Sequence, residues 1–293
     1  MKVAVVVLNW NQEHYTVPCV ESLLAQRNAD VDIILVDNGS ADESGARLHA
    51  RFPELAYVQT GDNIGYAGGN NAGIACALER GAEAVLVINN DTVADEWCVS
   101  RLVDALEQHP EVAAVSALIT RFDDPSRVWF AGGSISVERV MCTHDDYNAS
   151  VDLVVSRLAD PEAVQLCTFL CGCCMMIRAD VLREVGLFKA DYFIYVEDTE
   201  LSYRLGLAGW KLGWVPMARL AHKVPALDVQ ETPRQIYLRD RNRRRMARSH
   251  LSVLQRLVFA GWFWPTRFVH FARYVAKGDW SRARALVTGA FHR

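Results

Sequence analysis

The chain has 293 residues, of which 51% are hydrophobic and 23% are charged. This composition excludes a disordered chain, a collagen-like chain and a coiled coil, and it supplies enough apolar residues for a large core. The net charge of −4 hides an asymmetry, because residues 1–233 carry 17 Lys or Arg and 33 Asp or Glu, whereas residues 234–293 carry 14 and 2. A basic segment after an acidic body predicts an anionic partner.

The first half of the sequence alternates between strand and helix patterns joined by short connections. Aliphatic runs and helical spacing predict strands at residues 3–8, 32–36, 55–59, 84–88 and 112–117, and helices at 15–26, 42–51, 67–79 and 95–108. Repeated βα units of this length indicate a parallel sheet covered by helices on both faces. Ligands of such sheets bind beyond the carboxyl ends of the strands, where residues 9–11, 37–38 and 89–91 are polar.

The second half is less regular. We expect loops and short strands along one sheet edge at residues 120–165, followed by helices at 179–185 and 197–208 and a strand at 211–215. After Pro225 the composition becomes basic and helical. We therefore divide the chain into an α/β domain over residues 1–225 and a basic, amphipathic helical extension over residues 226–293.

We expect the eight cysteines to be buried thiols, because the cluster at residues 167–174 lacks the paired Cys-x-x-Cys spacing of a zinc site. The apolar run at residues 3–8 is too short for a signal peptide, so we expect none. The late apolar stretch at 257–266 has ten uncharged residues between Arg256 and Arg267, too few to cross a membrane.

The turn after the first strand, at residues 9–14, contains no glycine, and the chain has no GxxxxGK[ST] loop. Dinucleotide-binding and P-loop sites are therefore excluded. Asp37 could accept hydrogen bonds from a nucleoside, and Asp91 is an oxygen ligand suited to a divalent cation on a diphosphate. Each alone could instead be a turn or helix-capping residue. Together, on two neighbouring strand ends, they favour a nucleotide site.

Five segments in this order resemble family 2 glycosyltransferases with the GT-A fold. They are Val-Leu-Asn-Trp-Asn at 7–11, Leu-Val-Asp-Asn-Gly-Ser-x-Asp at 35–42, Asn-x-Gly-Tyr-Ala-Gly-Gly-Asn-Asn at 63–71, Leu-Val-Ile-Asn-Asn-Asp at 86–91 and Tyr-Val-Glu-Asp-Thr-Glu-Leu-Ser-Tyr-Arg at 195–204. The pattern is most similar to the rhamnosyltransferase-like branch, in which the metal motif often reads Asn-Asn-Asp. The resemblance implies a Rossmann-like, mostly parallel sheet with flanking helices over residues 1–225.

The resemblance also implies a role for each matching residue. Asn9 and Asp37 would hold the nucleoside, and Asn63 and Gly65 would lie in a loop that closes over the base and the ribose. Asn89 and Asp91 flank the metal motif. Asp91 would bind Mg²⁺ or Mn²⁺ on the diphosphate, and His222 would complete the metal shell. Asp198 matches the catalytic acid of the Glu-Asp motif.

Elementary chemistry supports the same assignment. Transfer from a nucleotide-sugar needs a nucleoside site, charge neutralisation on the leaving diphosphate and a base for the acceptor hydroxyl. Asp198 is at a predicted helix start beside Glu197, and two adjacent acids predict a raised pKa for one of them. The alternative is that both acids merely favour a helix N-terminus.

The basic C-terminal segment has two parts. Residues 239–248 contain six arginines, and residues 253–275 mix aromatic and aliphatic side chains with arginine. This pattern is typical of an element at an anionic membrane surface, with Arg256, Arg267 and Arg273 near the headgroups and residues 262–264 inserted. The alternative is a helix packed on the catalytic domain. We do not expect nucleic acid binding, because no recognised module accompanies the arginines.

The sequence therefore predicts an inverting, metal-dependent glycosyltransferase that uses dTDP-rhamnose or a UDP-sugar. The resemblance implies a glycan or lipid-linked acceptor in envelope polysaccharide or glycolipid assembly, and a cytoplasmic protein bound peripherally at the cytoplasmic face of the inner membrane. Homo-oligomer formation is left open. The alternative is a catalytically inactive protein that binds nucleotide-sugars or docks on a membrane.

Overall fold

A computed structural model describes residues 1–223 and 230–292. The boundary that we predict between residues 225 and 226 lies outside the described residues. The strands are β1 (Val3–Asn9), β2 (Val31–Asp37), β3 (Ala56–Gln59), β4 (Ala84–Asn89), β5 (Thr92–Ala94), β6 (Val112–Arg121), β7 (Val128–Phe130), β8 (Ile135–Ser136), β9 (Met141–Cys142), β10 (Gln165–Cys167), β11 (Cys174–Arg178) and β12 (Lys211–His222). The helices are α1 (Glu13–Leu24), α2 (Ser44–Arg51), α3 (Gly65–Glu79), α4 (Cys98–Gln108), α5 (Val151–Ser156), α6 (Ala179–Val185), α7 (Glu197–Leu207), α8 (Pro233–His250), α9 (Val253–Ala276) and α10 (Trp280–Phe291).

Ten of these strands form one mixed sheet, whose main path runs β10-β12-β6-β11-β4-β1-β2-β3. Strands β3, β2, β1 and β4 are parallel neighbours, as the βα pattern predicts. Strand β11 lies between β4 and β6 and is antiparallel to both. Nearly every residue of β1 and β6 is buried, because both faces of the sheet are covered.

The register brings the predicted site residues to one edge of the sheet. Asn9 at the end of β1 is level with Asp37 at the end of β2. On the other side of β1, Leu8 is level with Asn89 at the end of β4. Strand β12 pairs with β5, so that His222 lies opposite Thr92, one residue beyond Asp91.

Helix α3 is rich in glycine because it packs closely against the sheet. A Cβ atom added to Gly73 would lie 2.4 Å from Cγ1 of Val6 on β1, and one added to Gly69 would lie 2.6 Å from Cδ1 of Leu8. Atoms cannot approach so closely, so larger residues at these positions would push α3 away from the site.

The segment at residues 120–165 consists of loops and short strands, as predicted, and also contains helix α5, which was not predicted. Strand β6 continues to Arg121 and pairs with β7, and β8 pairs with β9 in a separate hairpin. Strand β12 also exceeds the predicted 211–215, because it continues to His222 beside the extended β6. The eight cysteines are free thiols, of which four are buried and four are partly buried. Burial raises the pKa of Cys174 to about 11.

The C-terminal helices pack on the body of the protein instead of forming a solvated basic tail. Met246 of α8 and Phe263 of α9 share an apolar cluster with Val140 and Tyr192. Phe263 and Arg267 are buried, so the expectation that both face a membrane is wrong. Within the described residues, none of the helices is long and apolar enough to span a membrane.

Helix α9 nevertheless keeps one apolar face in solvent. Leu254, Leu257 and Phe268 are 72%, 65% and 73% exposed, and Val258 and Trp264 also lie in the solvent. Their spacing of three, four and seven residues places them on one side of the helix. We call this set the α9 face.

Candidate functional site

Two cavities adjoin at the carboxyl edge of the sheet. The first, which we call the Asp91 cavity, has a volume of about 400 Å³ and is lined by residues that include Asp91 and Tyr195. The second, the Asp198 cavity, has a volume of about 580 Å³ and is lined by residues that include Asp198 and Tyr195. Because Tyr195 lines both, two ligands held in these cavities would meet at this residue.

The Asp91 cavity collects four of the predicted site residues, namely Asn63, Gly65, Asn89 and Asp91. The Asn63 side-chain oxygen accepts hydrogen bonds from Nδ2 of Asn38, at 3.2 Å, and from the Gly65 amide, at 2.9 Å. These bonds hold the loop before α3 against the end of β2. Thr232, Arg234 and Gln235 close the cavity from the C-terminal side, which sequence reasoning did not predict.

Position 65 requires glycine because of its backbone conformation and the neighbouring Phe193. Its φ of +83° lies in the left-handed region, and a Cβ atom there would lie 2.6 Å from the ring of Phe193. The Ala67 amide also donates to the Phe193 carbonyl, at 3.1 Å. The start of α3 is therefore tied to the loop that precedes α7.

Asn9 and Asp37 lie behind the lining of the Asp91 cavity. They are 0% and 2% exposed, and the Asn9 amide is 3.4 Å from Oδ1 of Asp37 and 3.0 Å from Oγ of Ser44. Asp37 also accepts hydrogen bonds from Oγ of Ser40 and Nε2 of Gln59, both at 2.5 Å. The structure thus brings Asn9 and Asp37 together in a buried polar network.

Asp91 and His222 form a pair at the edge of the Asp91 cavity. Nε2 of His222 lies 3.2 Å from Oδ1 of Asp91, and β12 is fixed here because the Lys223 amide donates to the Asp91 carbonyl, at 2.8 Å. Oδ1 of Asp91 and Nδ1 of His222 are buried without a hydrogen-bond partner in the described part of the chain. An unsatisfied carboxylate oxygen beside an imidazole fits a divalent cation.

The protein would supply only part of a metal shell. Across residues 1–223 and 230–292, no three His, Cys, Asp or Glu side chains are grouped so that they could hold a metal ion. Mg²⁺ and related cations commonly bind through one or two carboxylates together with water and substrate phosphates. A two-residue site in a cavity large enough for a nucleotide is consistent with that arrangement.

Asp198 is partly buried in the first turn of α7. Its Oδ2 accepts a hydrogen bond from the Gly172 amide, at 3.1 Å, and its Oδ1 accepts one from the Thr199 amide, at 2.6 Å. Burial raises the pKa of Asp198, and these hydrogen bonds oppose the rise. Burial and the adjacent Asp198 charge raise the pKa of Glu197 well above its usual value, and Oε2 of Glu197 has no partner in the described residues. The sequence predicts a raised pKa for one of the two acids, and here burial raises the pKa of both.

The loop before Asp198 has an unusual backbone. Phe193, Tyr195 and Val196 have φ values of +67°, +73° and +72°, which are unfavourable for side chains with a Cβ atom. Asn242 of α8 is fully buried, and its Nδ2 lies 2.8, 2.9 and 2.7 Å from the carbonyl oxygens of residues 192, 194 and 195. Sequence reasoning missed Asn242 because it lies in an arginine run that resembles a solvated surface.

A family model and two named relatives that are similar to this chain all describe glycosyltransferases. Residues 4–186 match the family model described as glycosyl transferase family 2. An N-acetylglucosaminyl-diphospho-decaprenol L-rhamnosyltransferase of Mycobacterium tuberculosis is 29% identical over 218 residues, which are 69% of each chain. A low-salt glycan biosynthesis hexosyltransferase of Haloferax volcanii is 24% identical over 242 residues, 82% of this chain and 73% of the relative.

Solved structures share the fold. A mannosyltransferase from Pyrobaculum calidifontis, in complex with GDP-Man and Mn²⁺, superposes with a TM-score of 0.58 at 18% identity, over 99% of this chain and 79% of that one. GalNAc-T7, with UDP, GalNAc and Mn²⁺, superposes with a TM-score of 0.69 at 14% identity. That match covers 89% of this chain but spans only half of the GalNAc-T7 chain.

Proposed function

The chain belongs to glycosyl transferase family 2 and has the GT-A fold, and from this premise we propose that it is an inverting, metal-dependent enzyme that transfers a sugar from a nucleoside diphosphate to a glycan or lipid-linked acceptor. The observation that carries this proposal is the pair of cavities that meet at Tyr195, one beside Asp91 and His222 and the other beside Asp198. A donor in the first cavity and an acceptor in the second would bring the reacting atoms together.

In this proposal the donor nucleotide occupies the Asp91 cavity. Asn63, Gly65 and Asn89 contact the nucleoside, whereas Asp37 lies behind them and holds this wall through its hydrogen bonds to Ser40 and Gln59. Asn9 has no exposed surface, so we assign it the role of positioning Asp37. Asp91 and His222 would hold Mg²⁺ or Mn²⁺. The cation, when bound, stabilises the negative charge that develops on the leaving diphosphate.

Asp198 serves as the general base. The acceptor hydroxyl gives its proton to a carboxylate oxygen of Asp198 and attacks the anomeric carbon, whose bond to the nucleoside diphosphate breaks. Attack from the side opposite the leaving group inverts the anomeric configuration. A carboxylate whose pKa is raised by burial is a stronger base than an ordinary aspartate.

The relatives guide the choice of substrates. The M. tuberculosis relative is named as an L-rhamnosyltransferase acting on a diphospho-lipid, so we propose dTDP-rhamnose as the donor and a UDP-sugar as the second candidate. We further propose that the protein acts in envelope polysaccharide or glycolipid assembly at the cytoplasmic face of the inner membrane. The exposed α9 face supports peripheral attachment to that surface.

Replacement of Asp91 tests the donor site. We expect Asp91→Asn to abolish transfer and to remove the Mn²⁺-dependent part of UDP and dTDP binding, because the anionic ligand is lost while the side-chain volume is kept. Binding can be measured as the rise in melting temperature with each nucleotide, with and without Mn²⁺. Asp62→Asn, at an exposed aspartate, is the matched control. If Asp91→Asn keeps the Mn²⁺-dependent shift, Asp91 is only a turn residue.

A further inference from the structure

Part of the lining of the Asp198 cavity is strongly basic, and we call this part the basic wall. Arg139, Arg239, Arg243 and Arg267 all line the cavity, and the last three come from α8 and α9. Arg267 pairs with Asp240, and Arg239 pairs with Glu231. Arg139 and Arg243 have no carboxylate within 4.0 Å among the residues that the structure describes. These four arginines carry two positive charges beyond the negative charges of Glu231 and Asp240, and the remaining acids of the cavity lining are Glu197 and Asp198.

Of the two arginines without a carboxylate partner, Arg243 is removed from water, whereas Arg139 is exposed. Arg243 is 7% exposed, and it donates hydrogen bonds to the carbonyls of Val140, at 3.2 Å, and Arg139, at 2.8 Å. Burial and the neighbouring Arg267 lower the pKa of Arg243 to about 10. Nε of Arg267 is buried without a hydrogen-bond partner in the described residues. Buried cations normally have a counter-charge, so this wall has room for an anionic ligand.

The positive charges of these arginines also act on His270, a histidine that lines the cavity. Burial and the charges of Arg267, Arg239 and Arg273 lower the pKa of His270, which lines the cavity. Arg139 is exposed and lies over the ring of Trp262, with its guanidinium carbon 4.0 Å from the ring centroid. The accessible Arg139 and the buried Arg243 thus face one space, and an anion could reach both from solvent.

An apolar groove leads away from this basic wall. The groove has a volume of about 370 Å³ and is lined by Gly261, Trp262, Pro265, Thr266, Val269 and His270. Trp262, Thr266 and His270 also line the Asp198 cavity. A molecule with its charged part on the arginines could therefore extend an apolar chain along α9.

We propose that the acceptor is a saccharide joined through a phosphate or diphosphate to a lipid. The phosphate of this acceptor binds Arg139, Arg243 and Arg267, and its sugar lies between them and Asp198. Its lipid chain lies in the apolar groove that is lined by residues 261–270 of α9. This inference rests on the proposed function, because it assigns the second substrate to the cavity of the proposed base. Guanidinium groups suit the site because they form paired hydrogen bonds with phosphate oxygens.

The test measures binding to the full chain with the Asp91 cavity filled by saturating dTDP and Mn²⁺. The probes are farnesyl diphosphate, farnesol and inorganic pyrophosphate, titrated by calorimetry. We expect farnesyl diphosphate to bind, and Arg139→Gln and Arg243→Met each to weaken it by about tenfold or more, as loss of a charged hydrogen bond predicts. Arg284→Gln, at an exposed arginine of α10, should bind it like the wild type. Because Arg139 is exposed, its variant should fold even if the Arg243 variant does not.

Lipid and soluble sources of the phosphate are distinguished by the other probes. Pyrophosphate should bind about tenfold or more weakly than farnesyl diphosphate, since the apolar chain is missing, and Val269→Ser should weaken only the lipid probe. Equal binding of both phosphates with no effect of Val269→Ser would overturn the lipid assignment. Equal binding of farnesol and farnesyl diphosphate, or no effect of either arginine variant, would overturn the phosphate site. A normal dTDP melting shift in the same samples would leave the donor proposal standing, whereas absence of a shift with both dTDP and UDP would contradict that proposal separately.

Discussion

Asp198 is held more firmly than a surface carboxylate. The amides of Gly172 and Thr199 fix both of its oxygens, so its orientation is set before a substrate binds. We expect Asp198→Asn to lower kcat by roughly a factor of 100 to 10,000, because a general base acts in the transition state, and to leave donor binding nearly unchanged. Steady-state kinetics and nucleotide melting shifts measure the two effects. Turnover near that of the wild type would transfer the role to Glu197.

Glu197 gives a pH-dependent prediction. Its pKa in the folded chain is raised well above 4.5, so ionisation is harder in the folded than in the unfolded chain. Below about pH 4.5 both states are protonated, and stability is lost as the pH rises through the folded pKa. We expect Glu197→Gln, which stays neutral, to raise the melting temperature relative to the wild type by an amount that grows with pH. Thermal melts from pH 4 to pH 9 test this, and a difference that is constant with pH would contradict it.

Residues at strand ends were predictable from the sequence, whereas the residues that support them were not. Asp37 and Asp91 follow aliphatic runs, and the parallel register then brings them to one edge. Asn242 and Arg243 lie in a run with six arginines, where composition alone does not show which side of a helix faces the body. Their burial depends on contacts with residues 50 to 100 positions away.

Among the elements, α8 has the most direct influence on the base. Its Asn242 donates to the carbonyls of the loop at residues 192–195, and Arg241 donates to the Tyr192 carbonyl, at 2.8 Å. These hydrogen bonds from α8 stabilise the positive-φ residues of the loop, each of which would otherwise lower the free energy of unfolding by about 1–3 kcal/mol. The orientation of α7, and with it Asp198, depends on this contact.

Substitution of Asn242 tests this role. Asn242→Ala removes the donor and should cost about 1–3 kcal/mol of stability together with a lower kcat. Asn242→Asp has nearly the same shape but places a hydrogen-bond acceptor against three carbonyl oxygens, so we expect it to be more destabilising than Asn242→Ala. Ser249→Ala, on the exposed side of α8, is the control. Urea unfolding and kcat measure both effects, and equal stability of the two Asn242 variants would contradict the donor role.

The direction and the neighbours of strand β11 could not be predicted from the sequence. The sequence indicates an apolar segment near residues 174–178, but it carries no information about direction or neighbours. The strand enters the sheet antiparallel between β4 and β6, although only residues 168–173 connect it to β10 at one sheet edge. The predicted βα units were correct, and the consecutive strands β1, β2 and β3 are also neighbours in the sheet, whereas β4 pairs with β1 and not with β3.

For the whole molecule, we propose that the extension and the α/β domain act as one unit. Thr232, Arg234 and Gln235 line the Asp91 cavity, and Arg239, Arg243 and Arg267 line the Asp198 cavity. Removal of residues 226–293 would therefore open both cavities, so a truncated chain is a poor test of membrane attachment.

Attachment is better tested with point variants of the α9 face. We expect the full chain to co-sediment with anionic vesicles, to bind neutral vesicles poorly and to be only partly released by high salt, because apolar insertion is insensitive to salt. Exposed Arg256 and Arg273 would each contribute on the order of 1 kcal/mol. Leu257→Gln with Phe268→Gln should weaken sedimentation, whereas Leu207→Gln, at a leucine of α7 that is 64% exposed, should not. Equal failure to bind both vesicle types would favour a partner protein on this face.

The position of Tyr195 in the lining of both cavities has a thermodynamic consequence. Any movement of this residue when one cavity is filled alters the shape of the other, so the two binding equilibria are linked. Linkage is reciprocal, and a factor by which UDP changes the dissociation constant of the acceptor must equal the factor by which the acceptor changes that of UDP. Nδ2 of Asn242 donates to the Tyr195 carbonyl at 2.7 Å, so a movement of the Tyr195 backbone would strain this hydrogen bond. The two substrates of this enzyme are therefore expected to bind cooperatively, with a sign that a pair of titrations would reveal.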